Sequence, residues 1–145
     1  MYFKNNIIFA IRTIKMYNTS KQETDFEYTL VIGALLNVFS AIYPNNEFLI
    51  NLNNLTKINF PTLHNPDYTE LKAYLTNLRN GLAHKTDINF INNTASESTQ
   101  IFEVKITSNN GKSYRFSLDD LNCILTNLTI AIKDEFPVLY VAEHQ

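Results

Sequence analysis

Six consecutive residues near the middle of the chain combine a fixed cation, an amide and a titratable ring: Arg79-Asn80-Gly81-Leu82-Ala83-His84. Arg79 is the residue type that holds a phosphate through two parallel hydrogen bonds. His84 is the residue type that exchanges a proton near neutral pH. Together they supply what cleavage of a phosphodiester requires, provided that the fold brings them to one place.

The spacing of this motif restricts how the two side chains can meet. Residues five positions apart on an ideal helix differ by about 140° around its axis, so Arg79 and His84 do not share a face. Convergence requires a helix that bends or ends near Gly81, an Arg79 side chain that curls along the surface, or a second copy across a two-fold axis. A structural alternative stays open, because basic residues near a helix C-terminus stabilise its unpaired carbonyl groups.

Composition and charge limit the function classes. The chain has 145 residues, 45% of them hydrophobic and 18% charged, which predicts one folded domain over residues 1–145. The formal net charge of −2 excludes a general electrostatic attraction to nucleic acid, so RNA binding needs a local basic patch. Lys85, Lys112 and Arg115 are the candidates for such a patch, with an ordinary solvated surface as the alternative.

Other residue types argue against several classes of site. Cys123 is the only cysteine, so no disulfide can form within the chain. His64, His84 and His144 lie far apart and lack metal-ligand spacing, and we expect neither a metal nor a cofactor. No apolar run is long enough to span a bilayer, and the first residues lack the features of a signal peptide. We therefore expect a cytoplasmic protein without membrane contact.

Four segments with helical apolar spacing predict the helices. The first covers Phe3 to Tyr17, and the second opens at the capping-box sequence Thr24-Asp25-Phe26-Glu27. Within the second, Gly33 predicts close contact with another helix. The third opens at Asn65-Pro66 and ends with the motif. Its apolar stripe consists of Leu71, Leu75, Leu78 and Leu82.

After the motif the apolar period changes from helical to two. Ile88-Asn89-Phe90 has strand spacing, and Phe102, Val104 and Ile106 alternate with polar residues before the turn residues Asn109-Asn110-Gly111. Ser117-Leu118-Asp119-Asp120 then caps the last helix, which Phe136-Pro137 ends before a short tail. The predicted fold is mainly α, a helical bundle of four to five helices with a β-hairpin inserted before the last helix.

The motif resembles the Arg-Asn-x-x-x-His signature of the HEPN superfamily, helical-bundle proteins of prokaryotic toxin and defence systems. The layout is similar as well, because the signature closes an internal helix and a later helix packs after it. The order of helix, motif, hairpin and helix is similar to a stand-alone, plasmid-borne HEPN branch. The likeness covers most of Thr24 to Lys133.

This resemblance implies a metal-independent endoribonuclease that works as a homodimer on an RNA substrate, with an antitoxin protein as a further partner. Arg79 and His84 are then catalytic and Asn80 is a supporting polar residue. A related toxin group has a tyrosine two positions after the histidine, where this chain has Thr86, so a switch that modifies that tyrosine is not supported. Some family members are inactive, which leaves the alternative of a catalytically inactive protein- or RNA-binding module.

Overall fold

The described residues form five helices and three strands. The computed structural model describes residues 2–20, 27–42, 60–63, 68–84, 88–92 and 101–144. The elements are α1 (Tyr2–Ser20), α2 (Glu27–Ile42), α3 (Tyr68–Ala83), β1 (Ile88–Asn92), β2 (Ile101–Thr107), β3 (Ser113–Phe116), α4 (Leu118–Glu135) and α5 (Pro137–Glu143). The predicted class, mainly α with a small antiparallel insertion, is confirmed. Within these ranges no helix is both long and apolar enough to cross a membrane.

The predicted apolar stripes face a common core. All four leucines of the α3 stripe are only 1% exposed, and burial of one such side chain is worth about 1.5–3 kcal/mol. The stripe of α4 is buried in the same cluster, beside residues of α1, α2 and the sheet. The core-facing residues of α4 are Leu121, Ile124, Leu125, Leu128 and Ile132.

The sheet contains the predicted hairpin, β2 and β3, and a third strand, β1, where Ile88-Asn89-Phe90 has strand spacing. Its order is β1-β2-β3, antiparallel throughout. The turn between β2 and β3 follows the predicted sequence, because Gly111 has a φ of 86° and its N–H donates to the Ser108 carbonyl at 2.9 Å. This left-handed conformation favours glycine. The third strand, β1, pairs Ile88 with Ile106 and Phe90 with Val104.

Polar side chains cap the start of α4, as predicted. The Ser117 Oγ accepts from the Asp120 N–H at 3.2 Å, and the Asp120 Oδ2 accepts from the Ser117 N–H at 2.9 Å. This reciprocal pair is a capping box, which satisfies amides that the helix itself leaves unpaired. Residues 24–26 of the first capping sequence and the helix start at residues 65–66 lie outside the described residues.

Two expectations were wrong. A Cβ added at Gly33 meets nothing within 4 Å, so this glycine does not mark close helix contact. The residues after Pro137 form α5 rather than a tail, because proline is well tolerated at the first position of a helix. α5 is tied to α1 by Arg12, whose Nε donates to the Glu143 Oε2 at 2.7 Å, and by Lys15, whose Nζ donates to the Glu143 carbonyl at 3.0 Å.

Candidate functional site

The motif lies at the C-terminal end of α3, and Gly81 does not break the helix. α3 continues past Gly81 to Ala83, and the His84 N–H still donates to the Asn80 carbonyl at 3.2 Å. Arg79 and His84 therefore remain about 140° apart around the axis, as for a straight helix. Arg79 lies one turn before the end of α3 and His84 directly follows it, and basic side chains at such positions also stabilise a helix C-terminus.

Gly81 instead allows α3 to approach the sheet closely. A Cβ at this position would lie 2.5 Å from the Ile106 Cγ2 and 3.0 Å from the Thr107 carbonyl oxygen. Real Cβ atoms essentially never come within 3.0 Å of another heavy atom, so only glycine fits here without displacing β2. The glycine of the motif thus has a packing role, and it fixes the end of α3 against the strand.

Arg79 and Asn80 are in direct contact. The Arg79 Nη1 donates to the Asn80 Oδ1 at 2.8 Å, and both residues are half-buried. Around the helix axis Asn80 lies between the other two, about 100° from Arg79 and about 40° from His84. The hydrogen bond therefore joins Arg79 to the residue that lies between Arg79 and His84 around the axis. A side chain that curls along the surface is one of the three routes to convergence that the spacing allows.

His84 itself is exposed. The Arg79 side chain moves less freely than that of His84, because packing and hydrogen bonds restrict side-chain rotamers. In chemical terms this end of α3 presents a cation bonded to an amide and, about 140° away around the axis, an imidazole that solvent or a ligand can reach.

Two of the predicted basic residues, Lys112 and Arg115, lie on the hairpin. Lys112 and Arg115 are exposed, and the Arg115 Nη1 lies 3.3 Å from the Glu103 Oε1. With residues of α3 they line one groove between this helix and β3. Lys85 lies outside the described residues.

One polar residue that connects the hairpin to α3 was missed in the sequence. The Asn77 Nδ2 donates to the Tyr114 hydroxyl at 3.3 Å, and the Asn77 Oδ1 accepts from the Asn110 Nδ2 at 2.9 Å. Asn77 therefore holds both the turn and the return strand of the hairpin two residues before Arg79. Nothing in the local sequence distinguishes it, because asparagine is frequent throughout this chain.

Tyr74 is a packing residue rather than an exposed platform for a base. Its side chain is 2% exposed, its hydroxyl donates to the Pro61 carbonyl at 2.8 Å, and its ring meets that of Tyr114 edge-on at 5.2 Å. Burial, reinforced by Tyr114, raises the pKa of the Tyr74 phenol far above its ordinary value. The phenol stays protonated in the physiological range and cannot act as a general base.

Other candidate sites are explained by the fold. Asp120 belongs to the capping box, and Cys123 is a half-buried free thiol. Within the described part of the chain, no three side chains of the His, Cys, Asp and Glu types lie close enough to hold a metal ion. His144 stacks on Tyr140 at 4.2 Å, and His64 lies outside the described residues.

No protein-family model, curated protein or solved structure matches the chain. Because a fold class alone does not determine an activity, what the chain does has to be inferred from the chemistry of its candidate site.

Proposed function

We propose that the protein is a metal-independent endoribonuclease of a bacterial toxin or defence type, with the end of α3 as its active site. The observation that supports this most is the hydrogen bond from Arg79 to Asn80. It joins the guanidinium to Asn80, the residue that lies between Arg79 and the exposed His84 around the axis of α3. A cation held in advance, next to a group that can exchange protons, suits charge development at a phosphate.

In the proposed reaction His84 removes the proton of a ribose 2′-hydroxyl as general base. The 2′-oxygen forms a bond to the adjacent phosphorus while the bond from phosphorus to the 5′-oxygen breaks. The leaving 5′-oxygen takes up a proton, which gives a 2′,3′-cyclic phosphate and a 5′-hydroxyl. DNA lacks the attacking hydroxyl and is not a substrate.

Arg79 and Asn80 act on the phosphate in this scheme. Arg79 offers paired donors to the non-bridging oxygens, whose negative charge grows in the transition state. The Asn80 Oδ1 accepts from Arg79, so its Nδ2 group presents hydrogens to a phosphate oxygen or to the imidazole. Asn80 is thus a positioning residue for Arg79.

A homodimer would supply the remaining proton transfer. The reaction requires one group to accept a proton and another to donate one, and a single exposed imidazole begins in only one of these states. A two-fold axis past the end of α3 would bring two Arg79-His84 sets into one cleft. We propose this assembly, and an antitoxin protein as its regulator, on the strength of the HEPN resemblance.

The test is cleavage of several structured and single-stranded RNAs in the presence of EDTA, with analysis of the product ends. We expect 2′,3′-cyclic phosphate ends from the native sequence. Arg79→Ala and His84→Ala should each abolish cleavage while circular dichroism and the unfolding transition stay as in the native protein.

His144→Ala is the matched control, because His144 is also an exposed histidine directly after a helix. It should cleave as the native protein does. Absence of cleavage on all RNAs, or cleavage that survives both motif substitutions, would contradict the proposal. RNA binding without cleavage would favour the inactive binding module instead.

A further inference from the structure

A groove runs along α3 on the side that faces the hairpin. It encloses about 530 Å³, within the range of pockets that hold a small ligand. One wall is α3, with Glu70, Ala73 and Asn77, and the opposite wall is the hairpin segment 112–115. The turn at Thr62 and Leu63 closes one end.

Hydrogen bonds hold these walls in place. Tyr74 fixes the turn through the Pro61 carbonyl, and Asn77 fixes the hairpin through Tyr114 and Asn110. Thr62 has a φ of 66°, a conformation that a β-branched residue rarely adopts. A groove whose walls are fixed in advance loses little freedom when a ligand enters.

The hairpin wall carries cations that can bind an anion. Lys112 is exposed and forms no salt bridge with any residue that the structure describes. Arg115 meets Glu103 through Nη1 alone, at 3.3 Å, and a guanidinium has five donor hydrogens. Among the described residues that line the groove, only Glu70 on the opposite wall is acidic. The groove therefore has an excess of positive charge on the hairpin side.

The groove and the proposed catalytic histidine lie on the same side of α3. His84 follows Asn77 by seven residues, which is about 20° around the helix axis and about 10 Å along it. A strand that leaves the groove along α3 passes the hydrogen bond between Asn77 and Asn110 and then reaches His84 on the same side of the helix.

We propose that this groove binds a nucleotide of a single-stranded RNA next to the scissile phosphodiester, with Lys112 and Arg115 on its backbone phosphates. This inference rests on the proposed endoribonuclease function, and it adds to it a binding site on the hairpin. Single strands are favoured because the groove has room for about one nucleotide rather than for a duplex.

The test separates binding from cleavage. A fluorescein-labelled single-stranded oligoribonucleotide is titrated into His84→Ala protein, with and without Lys112→Ala and Arg115→Ala, at several salt concentrations. Each groove substitution should weaken binding and lower the slope of log Kd against log salt by about 1. In protein with His84 intact, the same substitutions should raise KM and leave kcat unchanged. Lys133→Ala, which removes an exposed cation from α4, should change neither.

The outcomes distinguish this inference from the proposed function. Unchanged oligonucleotide affinity in a protein that cleaves RNA overturns the groove assignment and leaves the endoribonuclease proposal intact. Groove-dependent binding in a protein that never cleaves supports the groove and overturns the endoribonuclease. If a polyglutamate peptide binds in a groove-dependent way and the oligonucleotide does not, the groove is a protein-binding site and the inference is wrong.

Discussion

The end of α3 and the start of α4 both carry polar side chains beside the sheet. The hydrogen bonds of these side chains have different partners at the two helix ends. At the start of α4, Ser117 and Asp120 each bond to the other's backbone N–H. At the end of α3, Arg79 donates to the Asn80 side chain and His84 is exposed. The first cluster gives hydrogen-bond partners to backbone N–H groups at the helix start. The second cluster joins two side chains to each other.

Residue type and position alone do not distinguish a structural polar cluster from a candidate active site. Both clusters consist of residue types that catalysis uses, and both lie at helix termini, where such residues also cap. The two clusters differ in the groups to which their side chains are hydrogen-bonded. Ser117 and Asp120 pair with amides that would otherwise stay unsatisfied. The bond between Arg79 and Asn80 joins two side chains instead.

Replacement of Arg79 by lysine should strongly slow cleavage. Lysine keeps the charge but has no planar fork for a phosphate and no paired donors. We expect cleavage to fall by about 10²- to 10³-fold, as for loss of a donor that stabilises a transition-state oxyanion. The measurement is the single-turnover rate. Arg12→Lys on α1 is the matched control and should cleave normally, and equal rates for both variants would show that Arg79 has only a structural role.

Alanine at Gly81 should have the next largest effect and should act on stability. Its Cβ would lie 2.5 Å from the Ile106 Cγ2, and overpacking of this kind costs about 1–3 kcal/mol. Because α3 must then shift from β2, the motif moves as well and cleavage falls with stability. Urea denaturation measures the free energy of unfolding.

Gly33→Ala is the control for the glycine experiment. Gly33 lies inside α2, and a Cβ added there would have no neighbour within 4 Å, so alanine should stabilise the protein by about 0.5–1 kcal/mol. If both glycine substitutions change stability in the same direction, the close approach of α3 to the sheet is not what selects Gly81.

Replacement of Glu143, at the C-terminal end of α5, should give the smallest effect. The hydrogen bond from Arg12 lowers the pKa of the Glu143 carboxyl below its ordinary value of 4.5. A carboxyl with a lowered folded-state pKa adds stability above its unfolded value and loses it as the pH falls through the folded value. Arg12 is exposed and Glu143 is half-buried, so solvent still screens the pair and the contribution is small.

The measurement is the unfolding free energy of the native protein and of Glu143→Gln between pH 7 and pH 3. The native protein should be slightly more stable near neutral pH, and the difference should shrink below pH 4.5. A difference that grows as the pH falls would contradict the assignment of this ion pair.

Much of the fold follows from sequence pattern, because apolar periodicity and capping residues act locally. The leucine stripe of α3 and the capping box at Ser117 are examples. The role of Gly81 could not be predicted, because it depends on how closely β2 approaches a helix distant in the chain. The same holds for Asn77, whose partners lie more than thirty residues away. The motif residues were visible by type and spacing, but the bond from Arg79 to Asn80 needed the three-dimensional structure.

We propose that the end of α3 serves chemistry, whereas the start of α4 caps the helix. The most direct test measures two quantities, RNA cleavage rate and free energy of unfolding, for His84→Ala and Ser117→Ala side by side. We predict that His84→Ala loses about 10²- to 10⁴-fold in rate with unchanged stability. Ser117→Ala should lose about 1 kcal/mol and cleave as the native protein does. A His84→Ala protein that cleaves normally, or that loses as much stability as Ser117→Ala, would contradict the claim.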